Sequence, residues 1–258
     1  MVRGLYTAWT GMANEQKRLD VISNNLANSA TVGYKKEGVT SQSFDEQLSI
    51  KIKDRSEPIT GDRIIGSMSL GVKIGEVYTD YSGGSLRETG NTFDLALDGE
   101  GFFQVTVTDR NGETHMRYTR AGSFHMTSDG YVVNSEGNHL QGESGDVMVP
   151  TDAGEILVDI DGSIYADGEY VDKINLFDFE DYDYLKKFGD VMYEPVDGAV
   201  EKDATGLIRQ GYTEQSNVNV VTEMVNMIAI TRAYEANQKV IQSVDQTLEN
   251  SANSIGRV

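Results

Sequence analysis

The sequence has no cysteine, only three prolines and one tryptophan, and 22 basic residues against 41 acidic ones in a chain of 258. Without thiols there is no disulfide, thiolate nucleophile or thiolate metal ligand, which fits a reducing cytosol or a surface protein that needs no covalent staples. Few prolines beside 27 glycines speak for many tight turns and against a Pro-rich disordered linker. No stretch approaches the roughly 18 consecutive apolar residues of a membrane span. The start, Met1-Val2-Arg3-Gly4-Leu5-Tyr6-Thr7-Ala8-Trp9, lacks a basic segment followed by a long apolar core, so no cleavable signal peptide is expected. On these facts alone the protein is expected to be soluble and cytosolic, unless it travels by a route that needs no cleaved signal.

The shortage of positive charge is uneven. Residues 1–36 hold five basic and two acidic groups, and residues 217–258 three and four, so nearly all of the net −19 falls in 37–216. An acidic middle of that size argues against nucleic acid or anionic lipid as the main partner. Its plainest role is a solvated face that keeps the protein soluble. A hydrophobic content of 38%, with 13 Tyr and 8 Phe, is enough for a real core in one large domain or two modest ones.

What is present is a seven-residue apolar repeat at both ends. Val220, Met227, Tyr234, Ile241, Leu248 and Ile255 are seven apart, with Ile230 and Val244 beside them, and no proline interrupts the run after Tyr212. That period keeps one seam of a helix against a partner helix. A helix over 217–258 would be roughly 55–60 Å long. Leu5, Met12, Leu19 and Leu26 repeat the spacing at the N-terminus, thickened by Trp9 and Ile22, with Asn14, Glu15, Lys17, Arg18, Asp20 and Asn24 on the wet side. Asn28-Ser29-Ala30-Thr31-Val32-Gly33 then ends that helix in turn formers. The simplest partner for one terminal helix is the other.

Residues 37–70 mix polar and β-capable sequence (Phe44, Leu48, Ile50, Ile52, then Glu57-Pro58-Ile59-Thr60-Gly61-Asp62) without a firm period. From Val72 to about Tyr212 the period is two. Phe93, Leu95 and Leu97 alternate, as do Phe103, Val105 and Val107, and Ile156, Val158 and Ile160. Asp109-Arg110-Asn111-Gly112, Asp129-Gly130, Asp161-Gly162, Asp167-Gly168 and Asp197-Gly198 supply hairpin turns. Only 181–188 reads as briefly helical. The expected fold class is therefore α+β: long N- and C-terminal helices forming a coiled-coil-like pair, with an inserted β-rich middle domain. The expected divisions are 1–36, 37–70, 71–212 and 213–258.

Two long stretches carry a resemblance. Leu19-Asp20-Val21-Ile22-Ser23-Asn24-Asn25-Leu26-Ala27-Asn28, followed by Thr31, Gly33, Tyr34 and Lys35, is similar to the N-terminal signature of the bacterial flagellar rod and hook proteins. Gln215-Ser216-Asn217-Val218-Asn219-Val220, then Glu223-Met224-Val225-Asn226-Met227-Ile228 and Arg232-Ala233-Tyr234-Glu235-Ala236-Asn237, resembles the closing helix of the same family. Thr89 to Phe103 and Tyr118 to Phe124 resemble the start of its outer domain. The resemblance is closest to the distal rod. It implies a structural subunit that polymerises through its terminal helices into the hollow drive shaft carrying torque from motor to hook. The implied partners are further copies in a helical homopolymer, other rod and hook proteins, ring proteins that bush the shaft, and the flagellar type III export apparatus. It implies a place in the basal body reached without a cleaved signal, and in this family the stretch equivalent to 37–70 is where rod and hook proteins differ. Subunit contacts are expected at Leu5, Trp9, Met12, Leu19, Ile22, Leu26, Val220, Met227, Tyr234, Ile241, Leu248 and Ile255. The matching family positions are Asn24, Asn25, Leu26, Ala27, Asn28, Thr31, Gly33, Tyr34, Ser216, Asn217, Val218, Arg232 and Tyr234.

The residues give little for chemistry. Gly99-Glu100-Gly101 lacks the third glycine of a dinucleotide loop, and Asp159-Ile160-Asp161-Gly162 places its glycine fourth where a calcium loop needs it sixth. His115, His125 and His139 are not spaced as a metal pair, no serine sits in a Gly-x-Ser-x-Gly elbow, and carboxylate pairs such as Asp181 and Asp183 arise by chance in so acidic a chain. No catalytic residue, cofactor, metal or small-molecule substrate is expected. A proximal rod or hook protein, a cell-surface adhesin oligomerised by its helices, and a wall-cleaving hydrolase stay open as alternatives.

Overall fold

The computed structural model describes residues 2–51, 63–109 and 112–255. Ile52, the stretch from Glu57 to Asp62, and Arg110-Asn111 at the centre of an expected hairpin lie outside the described residues, and so does the side chain of Ile255. The chain divides into two compact units, one of residues 1–26, 37–79 and 220–258, the other of 27–36 and 80–219.

The first unit begins with helix α1, Val2–Ala27. Strands β1, Glu37–Ser43, and β4, Val72–Thr79, pair antiparallel from Glu37 opposite Thr79 to Ser43 opposite Val72, with a bulge between Val39 and Ser41. Strands β2, Gln47–Lys51, and β3, Arg63–Met68, continue the ribbon, and the Phe44 N–H donates to the Gly71 carbonyl (3.1 Å) between the two pairs. Helix α2, Val220–Asn250, closes the unit and runs into one wide turn at Ser251–Ile255.

Strand is the larger share of the secondary structure, about 39% against 27% helix, and the fold class is α+β. The expected coiled-coil-like helix pair needs correction. A flank of α1 is taken by the ribbon. Asn14 Nδ2 donates to Ser41 Oγ (3.0 Å), and the Asn25 side chain accepts from the Glu37 N–H (2.9 Å) while donating to the Glu37 carbonyl (2.8 Å). Asn25 thus completes the end of β1 as a neighbouring strand would, and it is fully buried. α2 comes close to α1 at Gly11, where a Cβ would lie 3.0 Å from Asn237 Nδ2. Trp9, Val220 and Leu248, all expected in the seam, are exposed. A heptad stripe requires a cover but does not name it, and hydrogen-bonding asparagines on the neighbouring stripe of α1 give the ribbon a share.

Among the described residues the regular structure of the second unit is strand, with one 3₁₀ turn. Its main sheet runs in the order Leu185–Phe188, Met192–Pro195, Thr114–Thr119, Phe102–Thr108, His139–Gly142, Val132–Asn134 and Phe124–Met126, with Leu176–Phe179 also beside Phe102–Thr108. Ile156–Val158, Ser163–Ala166 and Glu169–Lys173 form a separate three-stranded sheet. Alternation explains the packing. Phe103, Val105 and Val107 point into the larger core with Leu95, Leu97, Leu140 and Val147. Phe102 points the other way into a cluster with Tyr118, Phe179, Leu185 and Tyr193, where edge-to-face rings (Tyr118 on Phe179, 4.9 Å) add to area burial. The stretch read as helical is a single turn, Tyr182–Tyr184, capped by Asp181 accepting from the Asp183 N–H (3.0 Å), after which the chain is extended again.

Candidate assembly surfaces

On α2 the covered positions are Glu223, Met227, Ile230, Tyr234, Asn237, Ile241 and Val244, alternately four and three apart. Such a stripe covers one narrow side. A second apolar face is left open: Val221 is 72% exposed, Val225 60%, Ile228 55% and Met224 48%. On α1, Leu5, Met12, Leu19, Ile22 and Leu26 are half-buried. Tyr6 and Trp9 are exposed and, with Phe44 and Leu48 of the ribbon, line a cavity of about 630 Å³ that also touches Met68 and Leu70. Contiguous exposed apolar patches are a common feature of surfaces that bind other molecules.

The family positions between the helices have a different role. Those around residues 33–36 and 214–217 come together with residues 80–85 at the points where the chain enters and leaves the β-rich unit. Gly33 donates its N–H to the Glu214 carbonyl (2.8 Å). It sits at φ +69, and a Cβ there would collide with the backbone of Arg120 and Ala121, so glycine is required twice over. Tyr34 is fully buried, with Lys187 Nζ 4.3 Å from its ring centre. Asn217 accepts from the Lys36 N–H (2.8 Å) and donates to the carbonyls of Asp80 (2.8 Å) and Ser82 (3.2 Å), tying all three passes of the chain with one amide. Asn28 and Thr31 share a side-chain hydrogen bond (3.0 Å) just after α1, and Ser216 Oγ accepts from the Val218 N–H (3.3 Å) just before α2. Arg232 is exposed and Tyr234 half-buried on α2, while Asn24 and Ala27 lie on the exposed side of α1.

At the centre of this knot is a buried ion cluster that the list of expected sites omits. Lys35 Nζ donates to Glu214 Oε1 (2.6 Å) and to the Ser82 carbonyl (2.8 Å). Arg120 Nη1 lies 3.5 Å from Glu214 Oε2, and the Gly84 N–H donates to Glu214 Oε1 (2.8 Å). Both Lys35 and Glu214 side chains are 1% exposed. Burial pulls the Lys35 pKa below its ordinary 10.5, against the opposing attraction of Glu214. No local sequence signal marks Glu214, which falls in the stretch 213–258 expected to be the terminal helix; the structure places it, buried, in an extended strand, Tyr212–Glu214. This is an arrangement for holding chain segments in place. Among the described residues no group of three or more His, Asp or Glu side chains is placed to hold a metal ion, and no helix is long and apolar enough to cross a membrane.

Three family profiles match in chain order. Residues 5–35 match one described as flagella basal body rod protein, 96–166 one described as flagellar hook protein FlgE/F/G D1 domain, and 209–255 one described as flagellar basal body rod FlgEFG protein C-terminal. The chain is 34% identical to the flagellar basal-body rod protein FlgG of Bacillus subtilis, over 98% of this chain and 99% of that one. It is 32% identical to the FlgG of Agrobacterium fabrum, over 95% and 96%. The flagellar hook-basal body complex protein FlhO of Bacillus subtilis is 31% identical over the full length of both chains.

Proposed function

Because the chain belongs to the flagellar basal-body rod protein family, we propose that it builds the rod by self-assembly through its terminal helices, in a position like that of the distal rod. It is a structural protein of the bacterial flagellum and not an enzyme. The observation that carries the reading is similarity to proteins named as basal-body rod FlgG over 96–98% of this chain and 98–99% of theirs. The open apolar faces of α1 and α2 support assembly through the helices, since covering a fully exposed side chain of this kind is favourable by about 1.5–3 kcal/mol. The twelve expected contact positions of the two helices, Ile255 included, remain part of this proposal, as does a division in which the helices build the axis and the acidic β-rich unit faces outward.

Partners follow at two levels. Membership of the rod family carries assembly with other rod and hook proteins. Passage through the type III export apparatus without a cleaved signal, and contact with bushing rings, belong to the proposal. A second reading within the family, another station along the shaft, has one observation behind it: a FlgF rod protein of Mesorhizobium japonicum is 28% identical over 99% of both chains.

Immunogold labelling of purified hook–basal bodies, with antibody raised against the β-rich unit, tests the reading. Label on the shaft between membrane and hook is the expected result. Label on the hook moves the protein within the family. No label on accessible antigen overturns the reading.

A further inference from the structure

The cavity beside Trp9 and the open stripe of α2 are two different surfaces of the same chain. Two positions along an α-helix are about 200° apart around its axis. Val221, Val225 and Ile228 therefore stand on the opposite side of α2 from Glu223, Met227 and Ile230, the side already covered within the subunit. The helix has used one face at home and holds a second one free.

We propose that the cavity of one copy receives the Val221–Ile228 stripe of a second copy, as a defined contact within the polymer; the inference rests on the self-assembly reading above. The two surfaces match in character. The cavity is walled by Tyr6, Trp9, Phe44 and Leu48, and Arg3 and Asp45 are the charged groups on its lining. The stripe from Val221 to Ile228 exposes no charge, so seating it strands none in an apolar site. On the same face one turn further on comes Arg232 and then Glu235, both exposed. Arg232 and Glu235 beside the stripe, and Asp45 and Arg3 on the cavity lining, offer each charge a partner of opposite sign across the contact.

That the two surfaces are different sets the kind of symmetry. A cavity taking a stripe from a different face of the neighbour is a head-to-tail contact; such contacts build rings where the rotation closes and a helical array where it does not, and the rod reading selects the array. One groove and two turns of helix make a small interface, weak when alone and strong when repeated along a filament.

The absence of cysteine gives a clean test. Leu48→Cys and Ile228→Cys are made as single variants and as a double variant, then oxidised both in basal bodies and as concentrated purified protein. Mixed single variants are expected to give a crossed disulfide dimer, neither single variant alone to give one, and the double variant to give a ladder of multimers. An internally bridged monomer from the double variant overturns the proposal, as does a chain present in basal bodies that yields no crossed product. Crossed product from purified protein, with the chain absent from basal bodies, keeps the contact and overturns the rod reading. As a second measurement, Asp45→Arg and Arg232→Asp should each lower the crossed yield about tenfold, and the two combined in one mixture should restore it. Failure of the combination to restore the yield overturns the pairing.

Discussion

Lys35 and Glu214 are 179 positions apart and touch at 2.6 Å with both side chains out of water. Removing one partner of such a pair strands the other charge. Lys35→Met is therefore expected to lower unfolding free energy by about 3 kcal/mol, with Lys35→Met/Glu214→Gln recovering a good part of it; urea titration of the two variants checks the order. Gly33→Ala forces a Cβ into the Arg120–Ala121 backbone at a positive φ, and a loss of about 2–3 kcal/mol is expected by the same measurement. Asp178 gives a pH dependence. Burial pushes its carboxyl up, but hydrogen bonds from Lys202 (2.9 Å) and Tyr182 (2.8 Å) outweigh that and hold it below the ordinary 3.8. A carboxylate with a depressed folded pKa lends stability above its unfolded pKa and loses it as pH falls toward the folded one. Wild type should thus exceed Asp178→Asn in melting temperature at pH 6, with the gap closing on acidification below about 3.8. Melting curves from pH 6 to pH 2 decide it.

At the scale of elements, the helices and the ribbon show why pattern reading succeeds or stops. Both helices lie where the seven-residue repeat puts them, because an amphipathic helix writes its covered side into local spacing. The ribbon could not be read that way. Much of β1 and β4 is exposed, so nothing forces polar and apolar residues to alternate along them. Asn14 looks like a wet-side residue in sequence, yet it and Asn25 are buried against that ribbon. The helix faces also carry a prediction. Met227→Asp puts a charge into the half-buried stripe of α2, in the other unit from the β-rich core. Incorporation into basal bodies and swimming should be lost while the β-rich unit keeps its near-ultraviolet circular dichroism. Loss of that signal too would show that helix and β-rich unit are not independent.

For the whole molecule, two units drawn from interleaved stretches of chain raise the question of where one can be cut from the other. Asn217 and Glu214 belong to the knot that closes the β-rich unit, whereas α2 belongs to the first unit. Truncation after Asn219 should leave a cooperative thermal transition in the β-rich unit; truncation after Gly211, which removes Glu214, should abolish or broaden it. Calorimetry of both truncations distinguishes them. The sequence by itself determined both helices, the hairpin-rich middle, the uneven charge and the family signatures, because each depends on spacing or composition along a few neighbouring residues. Only the tertiary structure decided that the ribbon shares α1, that one apolar face of α2 stays open, and that the two signatures close on a single ion cluster. Those facts depend on which distant segments meet, and an apolar stripe states the need for a partner without saying where in the chain it lies.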